Sequence, residues 1–167
     1  KSRLISEKEK GITAYHEAGH ALVAASLKDS DPVHKVSIIS RGRTGGYTLK
    51  LPLEDQRLKT RSQFLADLAV ALGGHASEKI VFNDITTGAS NDLKEATNLA
   101  RLLVTRYGMS EKMGPMTFGN TEELIFLGRE IATEKNYSDA VATQIDAEVR
   151  AFIDRAYKTA TKIISSK

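Results

Sequence analysis

The sequence predicts a mainly helical α+β domain with one small β-sheet, and three observations lead there. Apolar residues recur at helical spacing over four long stretches. Two short segments between Asp31 and Pro52 alternate apolar and polar instead. One helical stretch, AYHEAGHALV (Ala14–Val23), carries two histidines four residues apart with a glutamate directly after the first, which marks it as the helix that holds a functional site.

Ser6-x-x-Glu9 reads as a capping box that opens a first helix running to about Leu27, where Asp31-Pro32 stops it. His34–Ile39 alternates as a short strand, Arg41–Gly46 is a glycine-bearing turn, and Tyr47, Leu49 and Leu51 alternate before Pro52 as a second strand. With those three side chains on the core face, Thr48 and Lys50 are expected to point outward. A second helix spans roughly Arg61 to Val81, with Phe64, Leu65, Leu68, Ala71 and Leu72 on one stripe. The turn-rich Asn83–Ser90 leads into a third helix from about Asn91 to Arg106. Tyr107–Thr121 is glycine-rich and irregular, and Ser138 caps a long final helix, 138–165, whose Ile145, Val149, Phe152, Ala156, Ala160 and Ile163 form an apolar seam.

A chain of 167 residues is long enough for one well-buried core. Its 24 Lys and Arg against 21 Asp and Glu leave a charge of only +3, scattered and without interleaved aromatics, so no nucleic-acid footprint is present. With no cysteine, disulfides and thiolate metal ligands are excluded. No apolar run approaches bilayer-spanning length, and no phosphate-cradling GxxxxGK[ST] motif occurs. The opening on Lys1 is expected to mark a piece excised from a longer polypeptide.

Residues i and i+4 share one face of a helix, so His16 and His20 can bite one tetrahedral zinc while Glu17 reaches a water at the metal. Zinc brings that water's pKa towards neutrality, and the carboxylate takes its proton as it attacks a carbonyl. Glu17 is the sole charge between Gly11 and Lys28, and a carboxylate on an apolar face is expensive unless it has a task. A catalytic zinc needs a third protein ligand and an open fourth position. The metzincin continuation is excluded, since Val23 and Ser26 stand where it requires glycine and histidine. Two acids are candidates, Glu78 in GGHASE and Asp92 in TTGASND, and spacing does not choose between them. His75 with Glu78 forms a weaker HxxE candidate, His34 reads as a strand-edge residue, and Arg57–Arg61 reads as a solvated helix entry.

AYHEAGHALV, DPVHKVSIISRG, the LP-x-ED segment, TRSQFLADLAVALGGHASEKIVF, ITTGASNDLKEAT, RYGMSEKMGP and FLGREI together resemble the protease domain of the FtsH family of membrane-anchored, ATP-dependent zinc metalloproteases. The resemblance covers nearly the whole chain. It implies a zincin-like site with one Zn2+ per chain held by His16, His20 and Asp92, Glu17 as catalytic base, and Glu78 supporting the site from behind. It further implies a zinc endopeptidase acting on unfolded or membrane-extracted polypeptides. An AAA ATPase module of the same polypeptide would deliver them, in a homo-hexamer that meets the membrane only through an N-terminal part, with this domain in the cytoplasm or an organelle matrix or stroma. Residues 1–167 then form the protease domain, with 1–5 a linker from the ATPase. Two departures stand out. His75 occupies a place where the family commonly has arginine, which reopens a metal or pH-sensing role, and Phe82–Ile85 is shorter than in many relatives.

The short strand at Tyr47, Thr48, Leu49 and Lys50, between Gly45-Gly46 and Pro52, is expected to lie at a sheet edge and bind extended substrate through its backbone. The rival reading is a non-catalytic ring-assembly module, built on the long final helix, in which the metal is structural and Glu17 idle.

Overall fold

In a computed structural model of the chain, the structure describes residues 6–39, 45–52, 58–119 and 135–167. The expected linker 1–5, the tip of the glycine turn, the acidic end of LP-x-ED and the FLGREI motif fall outside them. Helix α1, Glu7–Ser26, opens on the expected capping box: Ser6 Oγ accepts from Glu9 N–H while the Glu9 carboxylate accepts from Ser6 N–H, both at 3.2 Å. Strands β1, Val33–Ser37, and β2, Tyr47–Lys50, form a two-stranded antiparallel sheet, with Lys35 opposite Leu49 and a bulge at His34. Helix α2, Arg61–Phe82, starts on a second capping box, Thr60 with Gln63, and ends where Asn83 turns left-handed at φ 50°. A single 3₁₀ turn, Thr87–Ala89, leads into α3, Ser90–Thr105, and Ser138 caps α4, Asp139–Ser165. The described residues are thus mainly helical with one small sheet, as the sequence predicts.

Helix α2 is central and packs against α1, α3 and α4. Its Leu68 and Leu72 join Val23, Leu103, Val104, Ile145, Val149 and Phe152 in one core. Each such side chain contributes about 1.5–3 kcal/mol by leaving water. The seam of α4 closes this core, with Phe152 and Ala160 fully buried, so it packs inside the chain. Helices α1 and α2 meet backbone to backbone. A Cβ on Gly19 would stand 2.4 Å from Gly73 O, and one on Gly73 2.8 Å from Gly19 O, so only glycine permits this crossing. Ser77 Oγ then donates to Tyr15 O at 2.7 Å and locks the pair.

One expectation is corrected here. The inward face of β2 carries Thr48 and Lys50, whereas Leu49 (38% exposed) and Leu51 (44%) face outward. The reason is that β2 lies over the polar site on α1 and α2 instead of over the apolar core. The helix entry is exposed at residues 58–60, as expected, while Lys59 also pairs with Asp67 and Arg61 Nε donates to Met109 O at 2.8 Å. Arg57 lies outside the described residues.

Candidate metal centre

The close α1–α2 crossing carries the site. His16, Glu17 and His20 are each 7% exposed on α1, the two histidines turned to α2 and Glu17 turned to β2. The ring of His16 fits only because residue 74 is glycine, where a Cβ would come within 2.5 Å of the ring atoms. Each imidazole is oriented from behind. His20 Nδ1 lies 2.6 Å from Val70 O, and a carbonyl oxygen only accepts, so Nδ1 carries the proton and Nε2 presents a lone pair. His16 Nδ1 donates to Glu78 Oε1 at 3.0 Å, which leaves its Nε2 facing the same point.

Helix α3 supplies the third donor. Asp92 Oδ2 stands 3.0 Å from His16 Nε2 and 3.4 Å from His20 Nε2, and the two Nε2 atoms are 3.0 Å apart. Glu78, 1% exposed, reaches across to the turn before this helix: its Oε2 accepts from Thr86 N–H at 2.8 Å and its Oε1 from Thr86 Oγ1 at 2.9 Å. One carboxylate therefore sets the tautomer of His16 and fixes the turn that delivers Asp92.

Three lone-pair donors crowded to 3.0–3.4 Å repel one another unless a cation sits among them. The electrostatics of these side chains express this. Burial opposes charge on His16, but Asp92 and Glu78 outweigh it and raise its pKa above 6.5. Burial pushes Asp92 up, but hydrogen bonds and charge from His16 and His20 prevail and lower it from 3.8 to about 2. A tetrahedral zinc with bonds near 2.0–2.1 Å has ligand–ligand edges of about 3.3 Å, so two imidazoles and a carboxylate at these separations fit zinc.

The site opens into a cleft of about 760 Å³ lined by Glu17, Thr48, Lys50, Asp67 and Glu95 among others. Thr48 Oγ1 donates to Glu17 Oε2 at 2.8 Å, and Lys50 Nζ pairs with Asp67 at 3.1 Å. Of the residues singled out in sequence, His16, His20 and Asp92 come together, Glu17 lines the cleft beside them, and Glu78 lies behind His16. Tyr47, Thr48 and Lys50 line the cleft while Leu49 turns away. His75 does not pair with Glu78. Its ring packs edge-on against Tyr157, centroids 5.4 Å apart, and its buried Nδ1 has no hydrogen-bond partner among the described residues. His34 is exposed at the β1 bulge. Sequence reasoning missed the Val70 carbonyl and Thr86. The first has no side-chain signal at all, and the second is one hydroxyl among several in TTGAS.

The profile of peptidase family M41 matches residues 3–167. The protein called ATP-dependent zinc metalloprotease FtsH 1 of Sphaerobacter thermophilus is 60% identical over 165 residues, 99% of this chain and 25% of that protein. Its namesake from Thermomicrobium roseum is 60% identical over 164 residues, 98% of this chain and 25% of the relative. The ATP-dependent zinc metalloprotease FtsH of Veillonella parvula is 52% identical over 165 residues, 99% and 26%. The chain spans about a quarter of the length of the curated relatives it matches.

Proposed function

We propose, from the premise that this chain belongs to peptidase family M41, that it is a zinc-dependent endopeptidase domain in which His16, His20 and Asp92 hold one Zn2+ per chain and Glu17 is the general base. The observation that carries the proposal is the convergence of three metal-competent donors, beside an inward-facing glutamate, in one open cleft. Bound zinc supplies a Lewis acid that lowers the pKa of a water and polarises the scissile carbonyl. The chain's own residues do the rest. Glu17 accepts the water's proton as its oxygen attacks the carbonyl carbon, and hands that proton to the departing amine nitrogen. Val70 O and Glu78 hold both imidazoles in the tautomer that leaves Nε2 free.

Substrate enters on β2. Leu51 N–H donates to Pro32 O at 3.2 Å, on the β1 side. Alternation along an antiparallel strand therefore turns the N–H groups of Thr48 and Lys50 to the other edge, which no strand covers among the described residues. An extended peptide that adds there is recognised by its backbone, which suits unfolded substrates of varied sequence.

The relatives' shared description as ATP-dependent supports the wider reading. In it, an AAA ATPase module of the same polypeptide, assembled as a homo-hexamer and anchored in a membrane, delivers unfolded or membrane-extracted polypeptides to this site on the cytoplasmic, matrix or stromal side. No helix among the described residues is long and apolar enough to cross a membrane. A structural metal in an assembly module calls for a fourth protein donor to close the site, whereas three donors and an adjoining carboxylate support the catalytic reading.

The test is reconstitution. Chelator-stripped protein is expected to leave an unfolded substrate intact and to regain cleavage on addition of one equivalent of zinc. Cleavage that survives complete removal of metal overturns the reading.

A further inference from the structure

The mechanism above asks Glu17 to face a water, yet a glutamate has three rotatable side-chain bonds, and nothing in the metal-ligand set holds it. The hold comes from β2. Thr48 Oγ1 lies 2.8 Å from Glu17 Oε2 and 3.1 Å from Glu17 O, so its one proton is directed first at the carboxylate. The stem of Glu17 is confined by the same strand's approach. Gly46 is buried, and a Cβ there would stand 2.9 Å from Glu17 Cγ, 2.8 Å from Thr13 Cγ2 and 2.8 Å from Ser37 O.

We infer that Thr48 is a positioning residue for Glu17: its hydroxyl fixes Oε2, Gly46 walls the carbon stem, and Oε1 is left as the oxygen that meets the water. This rests on the reading of Glu17 as general base. Thr48 is placed to do it because the two sides of a strand residue are separated. Its side chain turns inward to α1 while its own N–H lies on the open edge, so the strand that aligns the peptide also aligns the base. A threonine that merely tied β2 to α1 through Glu17 O would serve peptide docking and stability, and its loss would appear in KM or Tm.

The experiment uses zinc-loaded protein and a fluorogenic peptide at varied concentration, with Glu17→Gln as control. Thr48→Val keeps the shape and removes the donor. It is expected to lower kcat about ten- to a hundredfold, the scale of a hydrogen bond to a charged group within general-base catalysis, while KM stays within about threefold and zinc content and Tm hold. Thr48→Ser and Thr48→Ala remove the same methyl, so the contrast between them isolates the hydroxyl even where Thr48→Val folds poorly. Serine is expected to exceed alanine in kcat by at least about tenfold. Equal kcat for serine and alanine, or a loss confined to KM, overturns the inference while wild type cleaves and Glu17→Gln is dead. A wild type that does not cleave, or a Glu17→Gln that cleaves normally, overturns the assignment of Glu17 and this inference together.

Discussion

Replacing Glu78 by glutamine keeps the shape of a side chain that is 1% exposed but halves its capacity to accept. Three donors converge on the carboxylate: His16 Nδ1–H and Thr86 Oγ1–H at Oε1, and Thr86 N–H at Oε2. A glutamine has two orientations, and each fails one partner. With the amide nitrogen at the Oε2 place, it opposes Thr86 N–H donor to donor and loosens the turn that delivers Asp92. With the nitrogen at the Oε1 place, it donates to His16 Nδ1, drives the ring's own proton to Nε2, and blocks the lone pair meant for the metal. Either way one supporting hydrogen bond of the ligand set is lost or reversed. Such losses weaken metal affinity about ten- to a hundredfold, or roughly 1.4–2.7 kcal/mol. Zinc titration against a competing chelator at pH 7.5 measures this, with Asp92→Ala alongside, and the Asp92 variant is expected to lose more because a donor itself is gone. Activity of Glu78→Gln at saturating zinc is expected to return towards wild type. A zinc affinity for Glu78→Gln within about twofold of wild type refutes the reasoning. An affinity below that of Asp92→Ala exchanges the two roles.

Three further outcomes follow from the same geometry. In metal-free protein, the raised pKa of His16 makes its charge a stabilising feature below about pH 6.5 that is lost as pH rises through the raised value. The pKa of Asp92, lowered from 3.8 to about 2, contributes stability above 3.8 that is lost as pH falls towards 2. Zinc requires unprotonated His16, so melting scans from about pH 5 to about 8.5 should show the chelated protein losing Tm and the zinc-induced gain growing; a gain that is flat with pH contradicts this. Proline at Thr48 or at Lys50 removes an N–H from the open edge of β2 and is expected to raise KM for an unfolded protein with zinc content retained; normal KM in both variants removes β2 as the substrate platform. Gly19→Ala forces a Cβ to within 2.4 Å of Gly73 O and is expected to cost about 1–3 kcal/mol, a Tm loss on the order of 5 °C by calorimetry, whereas an unchanged Tm shows that the crossing can open.

Much of this fold is written locally. The Ser6 and Ser138 caps, the Asp31-Pro32 stop and the helical stripes act within a few residues of themselves, so the helices end within a residue or two of where the sequence places them. The HExxH pair is legible for the same reason, since both rings ride one helix turn. Asp92 is different. It reaches the histidines only because Glu78 holds Thr86 and because glycines at 19, 73 and 74 let α1 and α2 touch, and spacing alone leaves it level with Glu78. The facing of β2 is not legible in the sequence, because alternation shows two faces without saying which is wet. Here the inner face covers a polar site, so Thr48 and Lys50 turn in and Leu49 turns out. The α4 seam was readable as apolar but not as to its occupant, which is the chain's own core.

In the proposed mechanism Glu17 performs the chemistry at a metal it does not hold. Wild type and Glu17→Gln, each with zinc content measured by elemental analysis, are compared in cleavage of one unfolded substrate. Equal zinc, equal Tm and cleavage reduced by at least about a hundredfold in the glutamine variant is the predicted result. Near-wild-type cleavage by a fully zinc-loaded Glu17→Gln contradicts it.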